Sequence, residues 1–297
     1  RRRHNIQLHE NEMKNILISG STGFLGKEFV RQILEKTDHH LYLLVRAPKA
    51  SPDDRRSIHV DPRFQSRITR VEGDIVDKNI FRHAEDRKNC ENIIDEVLHM
   101  AASVEFKESK RAEIYQVNLE GTTNMLNMAK SFKRLSCFNH TSTTYVSGNR
   151  FYPEVIPEAP LEKAPSYKNP YEESKHLAEQ SVMESGLPWT IMRPSIISGS
   201  QDGGYFSDNT IYVICNIFFN ARLLYLEHIG VDVAARTDMS RKVSLNAPLI
   251  AKPDAMANVI HVDVAADMMI KIMESDKKFN KFFHISSPET VSVDTLM

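Results

Sequence analysis

The chain predicts an α/β fold of the Rossmann type, a doubly wound parallel sheet with a smaller C-terminal substrate lobe, and three observations predict it. Short apolar, often β-branched runs alternate with segments of helical period. A glycine-rich turn joins the first run to the first helical segment. The strand runs are also nearly continuously apolar, as a sheet covered on both faces requires. The strand runs are 15–19, 41–45, 68–72, 96–100, 137–141 and 190–193, and the helical patterns include 27–36, 118–130, 171–184 and 263–275.

The first turn, Gly20-Ser21-Thr22-Gly23-Phe24-Leu25-Gly26, follows Ile16-Leu17-Ile18 and opens a helix whose apolar face is Phe29, Val30, Ile33 and Leu34. Strand, glycine turn and helix in that order make a dinucleotide site: backbone can approach a pyrophosphate, and the free N–H groups at the helix start favour its charge. Taken alone, the same glycines also suit a tight turn with no ligand. Arg46 stands where the second strand should end. A carboxylate there would hold the ribose 2′-hydroxyl of NAD and repel a 2′-phosphate, whereas an arginine can pair with the phosphate, which favours NADPH. Residues 47–62 are charged, carry three prolines and read as a loop, where Lys49, Arg55 and Arg56 either assist Arg46 or face solvent. Ala101, Ala102 and Ser103 follow the fourth strand, and their small side chains either leave room for a cofactor or serve packing.

Tyr171 and Lys175 are four residues apart in a predicted helix, which puts a phenol and an ammonium on one face. The ammonium would lower the tyrosine pKa and make the phenol a proton donor or acceptor near neutral pH. A hydroxyl from the Thr143 region could hold the substrate oxygen beside it. As an isolated pattern, this spacing equally describes a solvated helix surface. The preceding stretch, 151–170, holds five prolines and forms an extended connection.

The 297 residues are 41% hydrophobic, enough for one substantial core, and the formal net charge of −1 gives no global attraction to nucleic acid or an anionic membrane. Cys90, Cys137 and Cys215 form no C-x-x-C pair, and the 12 histidines fall in no metal-ligand spacing, so no metal site and a reduced, cytoplasmic setting are expected. The most apolar stretch, 205–226, is interrupted by Asp208, Asn209, Asn216, Asn220 and Arg222 and does not make a membrane span. Residues 1–12 read as a tail or linker, 13–198 as the nucleotide-binding domain with 259–285 returning to it, and 199–258 with 286–297 as the substrate lobe. The last residues look like the beginning of a helix, so part of that lobe is expected to lie beyond them. Tyr205, Phe206, Tyr212, Phe218, Phe219 and Tyr225 either line an acyl or pantetheine channel or pack the lobe or an oligomer interface.

In this order and separation, the glycine turn and the Tyr171–Lys175 pair resemble the extended short-chain dehydrogenase/reductase superfamily, over residues 13–297. A narrower set is similar to its thioester-reductase and fatty-acyl-CoA-reductase branch: Gly23-Phe-Leu-Gly26, Leu43-Leu-Val-Arg46, His99-Met-Ala-Ala-Ser103, Asn118-Leu-Glu-Gly-Thr122, Ser142-Thr-Thr-Tyr-Val-Ser-Gly148 and Arg193-Pro-Ser-Ile-Ile-Ser-Gly199. The resemblance implies cofactor contacts from Gly20, Thr22, Gly23, Phe24, Leu25, Gly26, Arg46, Ala101, Ala102, Ser103 and Lys175. It adds Asp74 and Ile75 at the adenine, and Pro194, Ser195 and Ile196 at the nicotinamide carboxamide. Asp74 could equally cap the next turn. Asn118 would begin a helix and support the lysine, or be an ordinary N-cap. The catalytic set would be Thr143, Tyr171 and Lys175, with Ser142 as the alternative hydroxyl.

By resemblance, the expected activity is NADPH-dependent reduction of an acyl thioester, on a carrier-protein phosphopantetheine arm or on coenzyme A, to an aldehyde and, with a second hydride, an alcohol. No cysteine lies in the site motifs, so direct hydride transfer without an acyl-enzyme is expected. Two alternatives stand beside it: a superfamily relative acting on a free carbonyl, hydroxyl or sugar-nucleotide, and a cofactor-sensing protein without turnover.

Overall fold

The structure is a computed structural model and describes residues 13–46, 58, 60–149, 155–162, 166–203, 226–228 and 256–292. Seven parallel strands form the central sheet: β1 (Asn15–Ser19), β2 (His40–Val45), β3 (Ile68–Glu72), β4 (Glu96–His99), β5 (Cys137–Thr141), β6 (Trp189–Pro194) and β10 (Lys281–Ile285). Their spatial order is β10-β6-β5-β4-β1-β2-β3. The order reverses between β1 and β4, which opens a crevice at the carboxyl ends of those strands, where open α/β sheets bind ligands. Two short pairs lie outside this sheet: β7 (Ile196–Ser198) runs parallel to β9 (Val259–His261), and β8 (Met256–Ala257) pairs antiparallel with β11 (Val291–Ser292).

Alternation along the strands assigns each face its helices. Ile16, Ile18, Leu41, Leu43 and Leu98 point to one core, shared with Phe29 and Ile33 of α1 (Phe24–Lys36) and with Ala265, Ala266 and Met269 of α6 (Val262–Met273). Leu17, Leu44 and Val97 point to the other. That second core is closed by Cys90 of α2 (Ala84–Ile93), by Met125 and Leu126 of α4 (Gly121–Ala129) and by Val182 of α5 (Pro170–Met183). Each buried Leu, Ile or Phe is worth roughly 1.5–3 kcal/mol of transfer free energy, so the period-two pattern alone fixes the register.

Two sequence expectations need correction here. Asn118 does not begin a helix: α3 (Arg111–Tyr115) runs through a π-helical turn, Gln116–Glu120, directly into α4, so Asn118 is neither an N-cap nor a helix start. Pro62, expected to close the 47–62 loop, instead opens a short 3-10 helix, Pro62–Arg67, capped by Asp61. Lys49, Arg55, Arg56 and the six aromatics of 205–225 lie outside the described residues.

Candidate active site

The glycine turn shows why glycine is needed twice. Gly20 has φ +79°, and a Cβ there would sit 2.5 Å from the Ala101 nitrogen, so the turn after β1 lies against the strand end of β4. A Cβ on Gly26 would come within 2.1 Å of the Gly20 carbonyl oxygen, which presses the first turn of α1 onto the loop. Gly23 is the N-cap of α1, makes no side-chain cap bond, and is followed by no acidic residue in the first turn. The positive end of the helix therefore meets no acidic side chain of its own first turn, which favours an anion there. A pyrophosphate fits that cradle.

The neighbouring strand ends supply the rest of the edge. Arg46 is exposed directly after β2. Gly73 donates to the Val45 carbonyl at 2.9 Å, and the Asp74 carboxylate accepts the Val76 N–H at 3.2 Å, so the turn-capping reading of Asp74 is realised. Ile75 is buried and packs over Gly121 of α4, where an added Cβ would meet its Cδ1 at 2.8 Å. Ala101, Ala102 and Ser103 are half-buried along the loop after β4. Asn118 fixes that loop: its Oδ1 accepts the Ser103 N–H at 2.7 Å and its Nδ2 donates to the Ser103 carbonyl at 3.0 Å and to Ser174 Oγ at 3.0 Å. The tie to Ser174 links the π-turn to α5, one residue from Lys175.

The start of α5 is strongly specified. Asn169 Oδ1 accepts the Glu172 N–H at 3.0 Å, Glu172 Oε2 accepts the Lys168 N–H at 3.0 Å, and Pro170 takes the first helical position. This reciprocal cap places Tyr171 in the first turn, facing the end of β5. There Thr143 caps the 3-10 turn Thr144–Ser147, with its Oγ accepting the Tyr145 N–H at 3.3 Å, and its hydroxyl also partners the Tyr171 phenol. The Pro194 carbonyl lies 3.5 Å from Thr143 Oγ, bringing the end of β6 to the same point. The hydroxyls of Ser142 and Ser195 are buried without a hydrogen-bond partner, and Ser142 turns its N–H to the Met192 carbonyl at 2.6 Å. It is Thr143, not Ser142, that meets the phenol.

Electrostatics overturn one expectation. The Tyr171 phenol is not lowered but pushed up to about 12, because burial of the hydroxyl outweighs the Thr143 hydrogen bond. The Lys175 ammonium does not reach it to oppose that shift. Nζ donates instead to the Thr141 carbonyl at 2.6 Å and approaches His140 Nε2 at 3.4 Å. Burial in turn brings Lys175 down from 10.5 to about 8, with Glu179 opposing the shift. At neutral pH the phenol keeps its proton and the ammonium is mostly charged.

Sequence reasoning passed over three buried groups beside this set. His140 on β5 meets Lys175, and His99 on β4 lies against it with ring centroids 5.4 Å apart. His99 is satisfied at both nitrogens, by Ser19 Oγ at 2.6 Å and Thr122 Oγ1 at 3.0 Å. Arg193, noted only as part of a motif, is fully buried and forms a two-bond pair with Glu179 of α5 at 2.9 and 2.7 Å. It stacks on the Phe282 ring at 4.3 Å and donates to the Ala159 carbonyl at 3.1 Å. A hydrophobic face in the sequence with one charge on it was the available signal: Arg193 interrupts an apolar strand, and Glu179 sits four residues after Lys175. Among the described residues, no group of three or more His, Cys, Asp or Glu side chains could hold a metal ion, and no helix is long and apolar enough to cross a membrane.

The geometry agrees with comparisons to known proteins. The profile of the male sterility protein family matches residues 18–269. Fatty acyl-CoA reductase wat of Drosophila melanogaster is 29% identical over 222 residues, covering 62% of this chain and 43% of that protein. Fatty acyl-CoA reductase 1 of Homo sapiens is 25% identical over 300 residues, covering 87% of this chain and 54% of that protein. The chain thus spans about half the length of these curated relatives. Among solved structures, the terminal R domain of the myxalamid PKS-NRPS pathway superposes with a TM-score of 0.74 at 24% identity, covering 95% of this chain and 68% of that one. A thiolation-reductase di-domain from an archaeal non-ribosomal peptide synthetase gives a TM-score of 0.66 at 23% identity, covering 95% and 57%. These two likenesses show the fold. With its profile match over most of the chain, the protein belongs to the male sterility protein family, in the fatty-acyl-CoA-reductase-like branch of the extended short-chain dehydrogenase/reductases.

Proposed function

We propose that this chain carries the catalytic site of an NADPH-dependent reductase that converts an acyl thioester, on coenzyme A or on a carrier-protein phosphopantetheine arm, to an aldehyde. The observation that carries the proposal is the gathering of Thr143, Tyr171 and Lys175 around the carboxyl end of β5, at the same sheet edge as the glycine turn after β1. Membership of a family whose relatives include fatty acyl-CoA reductases supports the thioester as substrate. The exposed Arg46 at the end of β2 supports the phosphorylated cofactor, because a guanidinium there can pair with a 2′-phosphate.

A bound nicotinamide cofactor would supply the hydride that adds to the thioester carbonyl. Backbone N–H groups of Gly20 to Gly26 would hold its pyrophosphate, and the Ala101–Ser103 and Pro194–Ile196 segments would flank it along the strand ends. Thr143 Oγ and the Tyr171 phenol would donate hydrogen bonds to the carbonyl oxygen as negative charge develops on it. Tyr171 begins that step protonated, with its phenol pushed up to about 12, which is the state a reduction needs from its proton donor. It would then give its proton to the oxygen, leaving a hemithioacetal that collapses to thiol and aldehyde. Lys175 keeps one ammonium N–H beyond its contacts to Thr141 and His140, which a ribose hydroxyl can accept. Its positive charge would also favour the phenolate that Tyr171 becomes. Cys90 and Cys137 are buried, with thiols pushed up to about 12 and about 11, which disfavours either as a thiolate nucleophile.

The test is NADPH oxidation over a panel of acyl-CoA and acyl-pantetheine chain lengths, with product analysis. Turnover with aldehyde formation is expected, and Tyr171→Phe should nearly abolish it while leaving NADPH affinity close to unchanged. Turnover on free carbonyls or sugar-nucleotides in place of thioesters would assign the site to another branch of the superfamily. Cofactor binding without any turnover would make the chain a sensor.

A further inference from the structure

We propose that His140 is a positioning residue for Lys175: its neutral Nε2 accepts a hydrogen bond from the ammonium and, with the Thr141 carbonyl, holds Nζ at the end of β5 in its charged form. The inference rests on the assignment of Lys175 to the site above, and deepens it. Nζ lies 3.4 Å from His140 Nε2 and 2.6 Å from the Thr141 oxygen, and both His140 and Lys175 are buried. An ammonium has only donors, so Nε2 must be the acceptor and the ring proton sits on Nδ1. That Nδ1 is buried without a hydrogen-bond partner. A leucine of similar volume would carry no such penalty, so packing alone does not account for an imidazole here.

Among the described residues, the titratable groups facing this pair keep the acceptor in place. On β4, His99 lies tilted against His140 and has both ring nitrogens engaged, by Ser19 and Thr122, which leaves it nothing to exchange with His140. On α5, Glu179 is committed to Arg193, and Tyr171 is turned to Thr143. His140 itself is held well below the ordinary histidine range by burial, then by the Lys175 charge and His99. It therefore stays neutral, and the acceptor does not switch off as pH falls through the usual histidine range. With one proton tied to Thr141 and one to His140, the ammonium has a fixed azimuth. Its third proton points away from both.

The experiment follows Lys175 titration by NMR in protein carrying 13C-labelled lysine, with the resonance assigned by its loss in Lys175→Met. Removing an acceptor disfavours the charged form, so His140→Leu should lower the Lys175 midpoint by about one pH unit, a tenfold change in the protonation ratio. His140→Gln, which can place an amide oxygen near the Nε2 position, should restore most of the shift. The alkaline limb of the pH profile of kcat/KM should move with the midpoint in each variant. If the leucine variant fails to fold, His140→Phe supplies a planar ring without an acceptor. An unchanged midpoint in a folded variant lacking the acceptor overturns the proposal, and so does an equal fall in His140→Leu and His140→Gln, which would mark a packing effect. The titration needs no substrate, so a shifted Lys175 with no thioester turnover would refute the proposed activity and leave the role of His140 standing.

Discussion

Replacing Lys175 with methionine should make the ligand-free protein less sensitive to pH between neutrality and pH 10. Burial brings the Lys175 pKa from 10.5 in the unfolded chain to about 8 in the fold. Below about pH 8 the group is charged in both states, and the fold carries the full cost of that difference, on the order of 3 kcal/mol. As pH rises from 8 to 10.5 the native lysine loses its proton before the unfolded one does. The unfolded chain then binds more protons, and stability rises with pH. Between pH 7 and pH 10 this group contributes an increase of roughly 2–3 kcal/mol. Lys175→Met removes that contribution. The hydrogen bonds lost from Thr141 and His140 add an offset between wild type and variant, but one that does not follow the lysine titration. Urea unfolding of both proteins across pH 7–10, without ligand, would show wild type gaining on the variant by roughly 2–3 kcal/mol along that titration curve. Parallel curves would refute the buried, depressed lysine and, with it, the ordering of Nζ by β5.

Arg46→Ala should weaken NADPH binding more than NADH binding. A charge-assisted hydrogen bond is worth roughly 1.5–3 kcal/mol, so the NADPH preference should fall by about ten- to a hundredfold in titrations of the two cofactors, and equal losses would remove Arg46 from the phosphate site. Lys278→Met should destabilise the fold by about 3–5 kcal/mol in the same urea assay, because it takes from the buried Glu96 carboxylate its one fully buried cationic partner among the described residues. Glu96 accepts two contacts from Lys278, at 2.7 and 2.8 Å, and this pair ties the turn before β10 to the amino end of the sheet. A loss below 1 kcal/mol, on the order of an exposed ion pair, would show that Lys14, 3.0 Å from Glu96, compensates.

The sheet was legible because strand burial writes itself as runs. Ile68–Glu72 and Cys137–Thr141 fall where the apolar pattern put them, and the glycine turn reads directly because Gly20 and Gly26 are required by φ and by contact. The start of the third helix was not legible. Residues 108–117 are mostly polar, with Ile114 and Val117 as weak markers, and the helix there is held by ion pairs such as Arg111 to Glu173 at 2.8 Å, which sequence spacing does not reveal. A π-turn in mid-helix leaves no periodic signature either, so Asn118 looked like a beginning. In the site, the four-residue spacing of Tyr171 and Lys175 was visible, but the direction of each pKa was not. Both depend on burial depth, and on Nζ turning to a β5 carbonyl that only the assembled sheet brings within reach. His140 and His99 lie on neighbouring strands about forty residues apart in sequence, so their contact exists only through strand pairing.

The most direct test of the central account follows the hydride itself. Single-turnover reactions with an acyl-CoA and each of the two C4-deuterated NADPH epimers would be analysed for deuterium at C1 of the product. The account predicts an aldehyde carrying one deuterium at C1 from one epimer only, with the transfer lost in Tyr171→Phe. An aldehyde without deuterium from either epimer, or full transfer in Tyr171→Phe, would contradict direct hydride addition at a site where Thr143 and Tyr171 hold the reacting oxygen.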